Sequence, residues 1–374
     1  MGSERVLQEL GRIQTFFPIL PQAGNRFAVE RPWEGLTVAL HLHLTTLTAA
    51  LVRELVLGGG KWVISAANPA TTDPGVVDYL RDLGLTVYSG RSINDGIAGT
   101  LSVQPDLFAD VGFALGAALL RTNRPLRGGV EISRSGVSKL RSLPLSFPVV
   151  NIDSGRLKPA IECRHGVGDG LWASFTALTG KHLAGRRVAV VGYGPVGAGV
   201  AACARGNGAS VAIVDQSPIR RLIAQYDGFE TPTIEEAVTQ SQVLVTATGS
   251  RDALPLDLLK QAKDGVILVN AGHHNDEIAV EALRREAEAV DEVGPQVVRY
   301  ALRGRQLVVL AGGNPLNIVM NSGSQEPVLL HFTVLGLALE WLAQQKDLGP
   351  GEIIVPLSIE EEAARCALLA RGRA

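Results

Sequence analysis

The stretch "VAVVGYGPVGAGVAA", residues 188–202, constrains this chain more than any other. An apolar run is followed by Gly192, Gly194 and Gly197 in G-x-G-x-x-G spacing, and then by small residues of helical character. Each glycine has a physical purpose. Gly192 makes the tight strand-to-helix turn, Gly194 lets backbone approach a pyrophosphate, and Gly197 lets the helix pack close to the strand. Phosphates then meet the free N–H groups and positive dipole end of a helix, so Pro195 and Val196 within the loop are expected cofactor contacts. The next apolar run, "ASVAIVD", ends at Asp215, at about the distance where a carboxylate accepts a ribose 2′-hydroxyl. Such a carboxylate repels a 2′-phosphate. The expected cofactor is therefore NAD, with Arg220 and Arg221 just beyond leaving NADP open.

The runs "QVLVTATG" and "GVILVNAG" continue the same unit and place small polar residues at strand ends, where open α/β sheets bind ligands. Thr246, Thr248, Gly249, Asn270 and Gly272 stand at these two strand ends. Strand and helix patterns also alternate ahead of this unit. "KWVISA" (61–66) reads as a buried strand. "TTDPGVVDYLRDLG" reads as a helix with Asp73 as N-cap, Pro74 at its first position and Gly84 as its stop. The expected fold is α/β, with two open doubly wound domains. A Rossmann NAD-binding domain over 171–324 is inserted between parts of a substrate domain, 1–170 plus about 325–350, and 351–374 forms a tail. "VVRYALRGRQLVVLAGG" predicts a hairpin, and "PVLLHFTVLGLALEWLAQQ" a long helix returning to the first domain.

Composition excludes several classes. The formal net charge of -2 offers no field for a phosphate backbone, so nucleic acid is not expected as a partner. No uninterrupted apolar run of about 18 residues is present, and no membrane partner is expected. Three cysteines, Cys163, Cys203 and Cys366, make neither a disulfide framework nor a zinc spacing, which fits a cytoplasmic protein without a metal site.

Taken in order, "GYGPVGAG", "VTATGS" and "LVNAGHHNDEI" resemble the adenosylhomocysteinase (S-adenosylhomocysteine hydrolase) family. "HLHLTTLTAALVREL", "SRSGVSKL", "NIDSGRLKPAIECRHGVGDG" and "LAGGNPLNIV" extend the likeness over roughly residues 35–345. The resemblance implies that NAD takes hydride from the ribose 3′ carbon of an adenine nucleoside thioether. A base then removes the C4′ proton, the 5′ thiol leaves, water adds and hydride is returned. It also implies a homodimer or homotetramer. By the same matching, His43 and Thr45 bind substrate, and Asp110 binds substrate and takes part in catalysis. Cys163 lies near the nicotinamide, and His273 is both catalytic and cofactor-binding. Asn317 contacts the cofactor, as do Ser133 and Ser135 of the hydroxyl-rich segment and Thr246, Thr248, Gly249, Asn270 and Gly272 of the two matching strand-end segments.

Several positions depart from the family. Leu47 stands where it has a glutamate. A second family glutamate falls on Ile132, with Glu131 one place off as the catalytic candidate. Ser324 replaces a histidine that touches adenosine. The segment before Cys163 is about three residues short. Lys158 can stand for the catalytic lysine only if that gap falls between it and Cys163. These departures keep two rivals open: a nucleoside 3′-oxidase or sugar epimerase using the same keto chemistry, and a non-catalytic NAD-binding regulator.

Overall fold

The computed structural model describes residues 2–90, 92–122, 124–272, 274–320 and 322–372. These carry fourteen strands, numbered β1–β14 along the chain, in two compact units: Met1–Lys158 with Gln325–Ala374, and Pro159–Ser324.

The first unit is built on a seven-stranded sheet in the order β14-β6-β5-β4-β1-β2-β3. Its strands are β1 (Thr37–Leu42), β2 (Lys61–Ala66), β3 (Thr86–Tyr88), β4 (Leu107–Asp110), β5 (Gly128–Glu131), β6 (Pro148–Asn151) and β14 (Gly351–Ile354). Every pairing is parallel. Parallel strands buried on both faces read as continuous apolar runs, which is why "KWVISA" was recognisable in the sequence. The predicted caps also form: the Asp73 carboxylate accepts from Gly75 N–H, and Gly84 takes φ +79°.

Helix Gln325–Gln344 packs against β4, β5 and helices Ile19–Glu30, Thr46–Leu55 and Leu357–Ala370. It is long and apolar enough to cross a membrane by length and composition, yet most of it is buried within this unit. A helix apolar on nearly every face fits a core position.

The second unit has the order β11-β12-β13-β10-β9-β7-β8. Its strands are β7 (Arg187–Val191), β8 (Ser210–Val214), β9 (Val243–Thr246), β10 (Val266–Asn270), β11 (Ala289–Gly294), β12 (Val297–Leu302) and β13 (Arg305–Leu310). The pairings among β7, β8, β9, β10 and β13 are parallel, and β11–β12–β13 is an antiparallel meander containing the predicted hairpin.

Two boundaries differ from expectation. Residues 159–170 group with the second unit, because helix Val167–Thr179 lies against helix Pro195–Gly206 at a glycine contact. A Cβ on Gly168 would come within 2.9 Å of the Gly199 carbonyl. Residues 351–374 are not an appended tail. Strand β14 pairs with β6, and Arg141 clasps the Glu352 carboxylate with two bonds of 2.7 Å.

Candidate active site

In the second unit, loop and helix meet at the end of β7. Gly192 has φ +101°, and a Cβ there would lie 2.5 Å from the Ala247 carbonyl. A Cβ on Gly197 would lie 1.9 Å from the Gly192 carbonyl. Gly194 is different: its Cβ would meet only Arg220 Nη1, at 3.9 Å. The protein itself does not require glycine at 194, and the space beside it is of the kind a pyrophosphate fills. Pro195 begins helix Pro195–Gly206, with Gly194 as its N-cap.

Asp215, just past β8, accepts hydrogen bonds from Tyr193 N–H (2.7 Å) and Ser217 N–H (2.8 Å), with Arg220 3.7 Å away. It lines a cavity of about 800 Å³ together with Gly192, Arg220, Arg221 and Thr248. Asn317 Oδ1 is buried without a hydrogen-bond partner among the described residues. The open cradle at Gly194, the cavity walled by Asp215 and this orphaned oxygen fit NAD.

Other predicted cofactor residues are held by hydrogen bonds within this unit. Asn270 Nδ2 donates to the carbonyls of His274 (2.6 Å) and Gly313 (2.9 Å), while its Oδ1 accepts from Gly272 N–H and Thr246 Oγ1. Both its donors are thus engaged in holding loops. Thr248 and Gly249 are fastened by Glu277, which the sequence reading did not single out. The fully buried Glu277 carboxylate accepts from Thr248 N–H, Thr248 Oγ1 and Gly249 N–H at 2.8–2.9 Å. His273 lies outside the described residues.

Cys163 falls in the wide-turned helix Lys158–Gly166. The Cys163 and Arg164 carbonyls abut the cofactor helix at Gly199, where a Cβ would approach them to 2.7 and 2.4 Å. Cys203 is a poor nucleophile. Burial and Asp169 raise its thiol to about 12, and it donates to Asp169 Oδ1 at 2.9 Å.

In the first unit, the carboxyl edge of the sheet gathers ionisable groups by register. His41 lies opposite Asp110, Asp110 opposite Glu131, and Glu131 opposite Asn151. Asp110 is fully buried. Its Oδ2 accepts from Gly116 N–H at 2.8 Å, while Oδ1 has no hydrogen-bond partner among the described residues. Burial, then the Glu131 carboxylate, raise its pKa well above the usual range. Burial also lifts Glu131 to about 7, against hydrogen bonds from Ser133, Gly112 and Phe113. Those bonds define what Glu131 does. It accepts from Phe113 N–H (2.9 Å), Gly112 N–H (3.2 Å) and Ser133 N–H (2.8 Å), tying down the turn that follows Asp110.

The Ser133 hydroxyl donates to Glu131 (2.6 Å) and accepts from Gly112 and Gly136 N–H, so it caps helix Arg134–Leu140 in the first unit. Ser135 Oγ lies 3.3 Å from it. β1 runs to Leu42 and Thr45 caps helix Thr46–Leu55, which leaves His43 in the loop with Nδ1 2.7 Å from Thr71 Oγ1. His41 is a core residue bonded to Ser65 (2.8 Å), and burial lowers its pKa to about 4.

Lys158 is at the same edge. Its Nζ pairs with Asp153 Oδ1 at 3.2 Å and donates to the Ile132 carbonyl just past β5. Asp153, 5% exposed, also pairs with Arg134 at 3.3 Å. The C-terminal helix reaches in as well. Glu360 accepts from Arg156 N–H (2.7 Å) and Leu157 N–H (2.8 Å), immediately before Lys158. Asp153 and Glu360 were missed from sequence. The first stood within the "NIDSGRLKP" segment, but the second is remote in the chain and carried no signal.

A glycine-loop dinucleotide site and a lysine-bearing sheet edge define a nicotinamide-dependent α/β enzyme. Residues 160–323 match the family "S-adenosyl-L-homocysteine hydrolase, NAD binding domain". An S-inosyl-L-homocysteine hydrolase from Methanopyrus kandleri is 34% identical over 95% of this chain and 88% of its own. An adenosylhomocysteinase from Archaeoglobus fulgidus is 33% identical over 91% and 85%. Among solved structures, the dipicolinate synthase A chain from Bacillus subtilis aligns over 83% of this chain and 98% of its own, with 13% identity and TM-score 0.49. The chain belongs to the S-adenosyl-L-homocysteine hydrolase family, and its cofactor is NAD.

Proposed function

We propose that this enzyme cleaves the thioether of a purine-nucleosyl homocysteine by transient oxidation of the ribose 3′-hydroxyl. Removal of the C4′ proton, loss of the 5′ thiol, hydration and reduction follow. The observation that carries the reading is the placement of Lys158, held between Asp153 and the Ile132 carbonyl at the carboxyl end of a parallel sheet. Bound NAD supplies reversible hydride acceptance, so the reaction has no net redox change. A 3′ ketone acidifies the neighbouring C–H bond, and a positioned amine can then remove the proton and return it after water adds. Asp153 and Ile132 orient that amine. Asp110, its pKa pushed above the usual carboxylate range by burial and its Oδ1 without a hydrogen-bond partner among the described residues, is suited to bond a ribose hydroxyl.

The purine is the finer question. A relative named for S-inosyl-L-homocysteine favours hypoxanthine as a second reading. Both are tested together. The NAD-loaded protein is incubated with S-adenosylhomocysteine or S-inosylhomocysteine while free thiol and the absorbance of bound NADH are followed. Thiol release is expected, and the faster substrate identifies the base. NADH accumulation with an altered sugar but no thiol would replace this reading with a nucleoside 3′-oxidase or epimerase.

A further inference from the structure

Helix Gln325–Gln344 carries one imidazole among its apolar residues. His331 is 5% exposed, and its Nε2 lies 3.3 Å from the Ile132 carbonyl oxygen. The same oxygen accepts from Lys158 Nζ. A carbonyl has no proton to give, so Nε2 carries the hydrogen and donates it. We propose that His331 is a positioning residue for Lys158: by sharing the Ile132 carbonyl, it weakens that oxygen's hold on the lysine ammonium and eases release of the proton. This rests on the reading that Lys158 moves the C4′ proton.

The groups around Lys158 oppose one another. Asp153, from the segment after β6, favours the ammonium. Arg134, from the helix after β5, pairs with Asp153 and offsets part of its pull. Glu131 precedes Ile132, but its carboxylate is tied to Gly112, Phe113 and Ser133. His331 approaches from the opposite side of the chain sequence. Burial, then the Lys158 charge, hold its pKa well below the usual histidine value. Through Nε2 it contributes an N–H dipole to the shared acceptor. A hydrogen bond to the charged form of a group raises the pKa of an amine. Removing a competing donor should strengthen that bond and raise the lysine's pKa.

The test is the pH dependence of kcat/KM for thiol release by the holoenzyme. His331→Leu should move the acid-side limb to higher pH by about 0.5–1 unit. His331→Gln keeps an N–H at nearly the same place and should return the limb to the wild-type position. If His331→Leu does not fold, His331→Asn, too short to reach Ile132, replaces it with the same expected shift. Lys158→Met serves as the control. If it is inactive and the His331→Leu limb is unmoved, the positioning role is overturned and the function stands. If Lys158→Met keeps wild-type thiol release, the role of Lys158 falls and the role of His331 falls with it.

Discussion

The two sheets share a plan but solve different problems at their carboxyl edges. In the second unit the edge is lined by glycines, small residues and backbone N–H groups. Its carboxylates, Asp215 and Glu277, bind loops, and Asp215 also lines the cavity. In the first unit the edge carries His41, Asp110 and Glu131 side by side in register, with Lys158 and Asp153 beyond them. A dinucleotide is mostly phosphate and sugar, and backbone can grip it. A carbon acid needs a side chain that gives and takes a proton. On the proposed reaction, one edge holds and the other reacts.

The largest expected effect breaks the reactive edge alone. Lys158→Met should lower kcat by about 10²–10⁴-fold, the usual contribution of a general base. NAD content, measured after denaturation, should stay at the wild-type level. A comparable loss of NAD would erase the proposed division between the edges.

Next come the glycines of the holding edge. Gly197→Ala puts a methyl 1.9 Å from the Gly192 carbonyl, which must shift. Overpacking of this kind costs about 1–3 kcal/mol, so the melting temperature and NAD affinity should fall together. Gly194→Ala meets open space on the protein side. It should leave the apo-protein melting temperature unchanged and weaken NAD about 10-fold or more, since only the ligand is crowded. Calorimetry with and without NAD separates the two, and equal apo-protein destabilisation by both would show that Gly194 has a folding role.

A third comparison uses the loop clamps, because each unit has one. Glu277 fastens Thr248 and Gly249, and Glu360 fastens Arg156 and Leu157. Removing either carboxylate leaves backbone donors unpaired, at about 1–3 kcal/mol. Glu277→Ala should chiefly raise the dissociation constant for NAD, and Glu360→Ala should chiefly lower kcat by loosening the Lys158 segment. The opposite pattern in ligand titration and steady-state rates would contradict the assignment of edges.

These clamps also explain what could be read from sequence. The glycine loop is legible because its requirements are local: positive φ at Gly192 and close approach at Gly197 concern residues within a few positions. The parallel strands are legible as apolar runs, and the caps at Asp73 and Gly84 as turn chemistry. Asp110 could be placed because it ends such a run. The environment of Lys158 could not be. It depends on Asp153, Ile132, His331 and Glu360, which span more than two hundred positions and meet only through strand register and helix packing. Ser133 and Asn270 are similar: each also makes hydrogen bonds within its own unit that carry no signal in the sequence.

The smallest expected effect is a pH slope at the reactive edge. Burial raises Glu131 to about 7 in the folded protein, above its ordinary value of 4.5. Between these values the folded state binds the proton more tightly than the unfolded state. The stability this confers is full below about 4.5 and is lost as pH rises through about 7. Glu131→Gln cannot titrate, so the amide's own cost to the Gly112–Phe113 turn is constant with pH. Its melting temperature relative to wild type should therefore improve by a few degrees, on the order of 2–4 °C, between pH 5 and pH 8. His41, lowered to about 4, titrates in both proteins and cancels in the difference. A difference that stays flat across this range would mean that Glu131 is already ionised at pH 5. Its charge would then be stabilised fully by the turn it holds, and the carboxylate would belong with Glu277 and Glu360 as a clamp instead of with Asp110 as part of a proton-bearing pair.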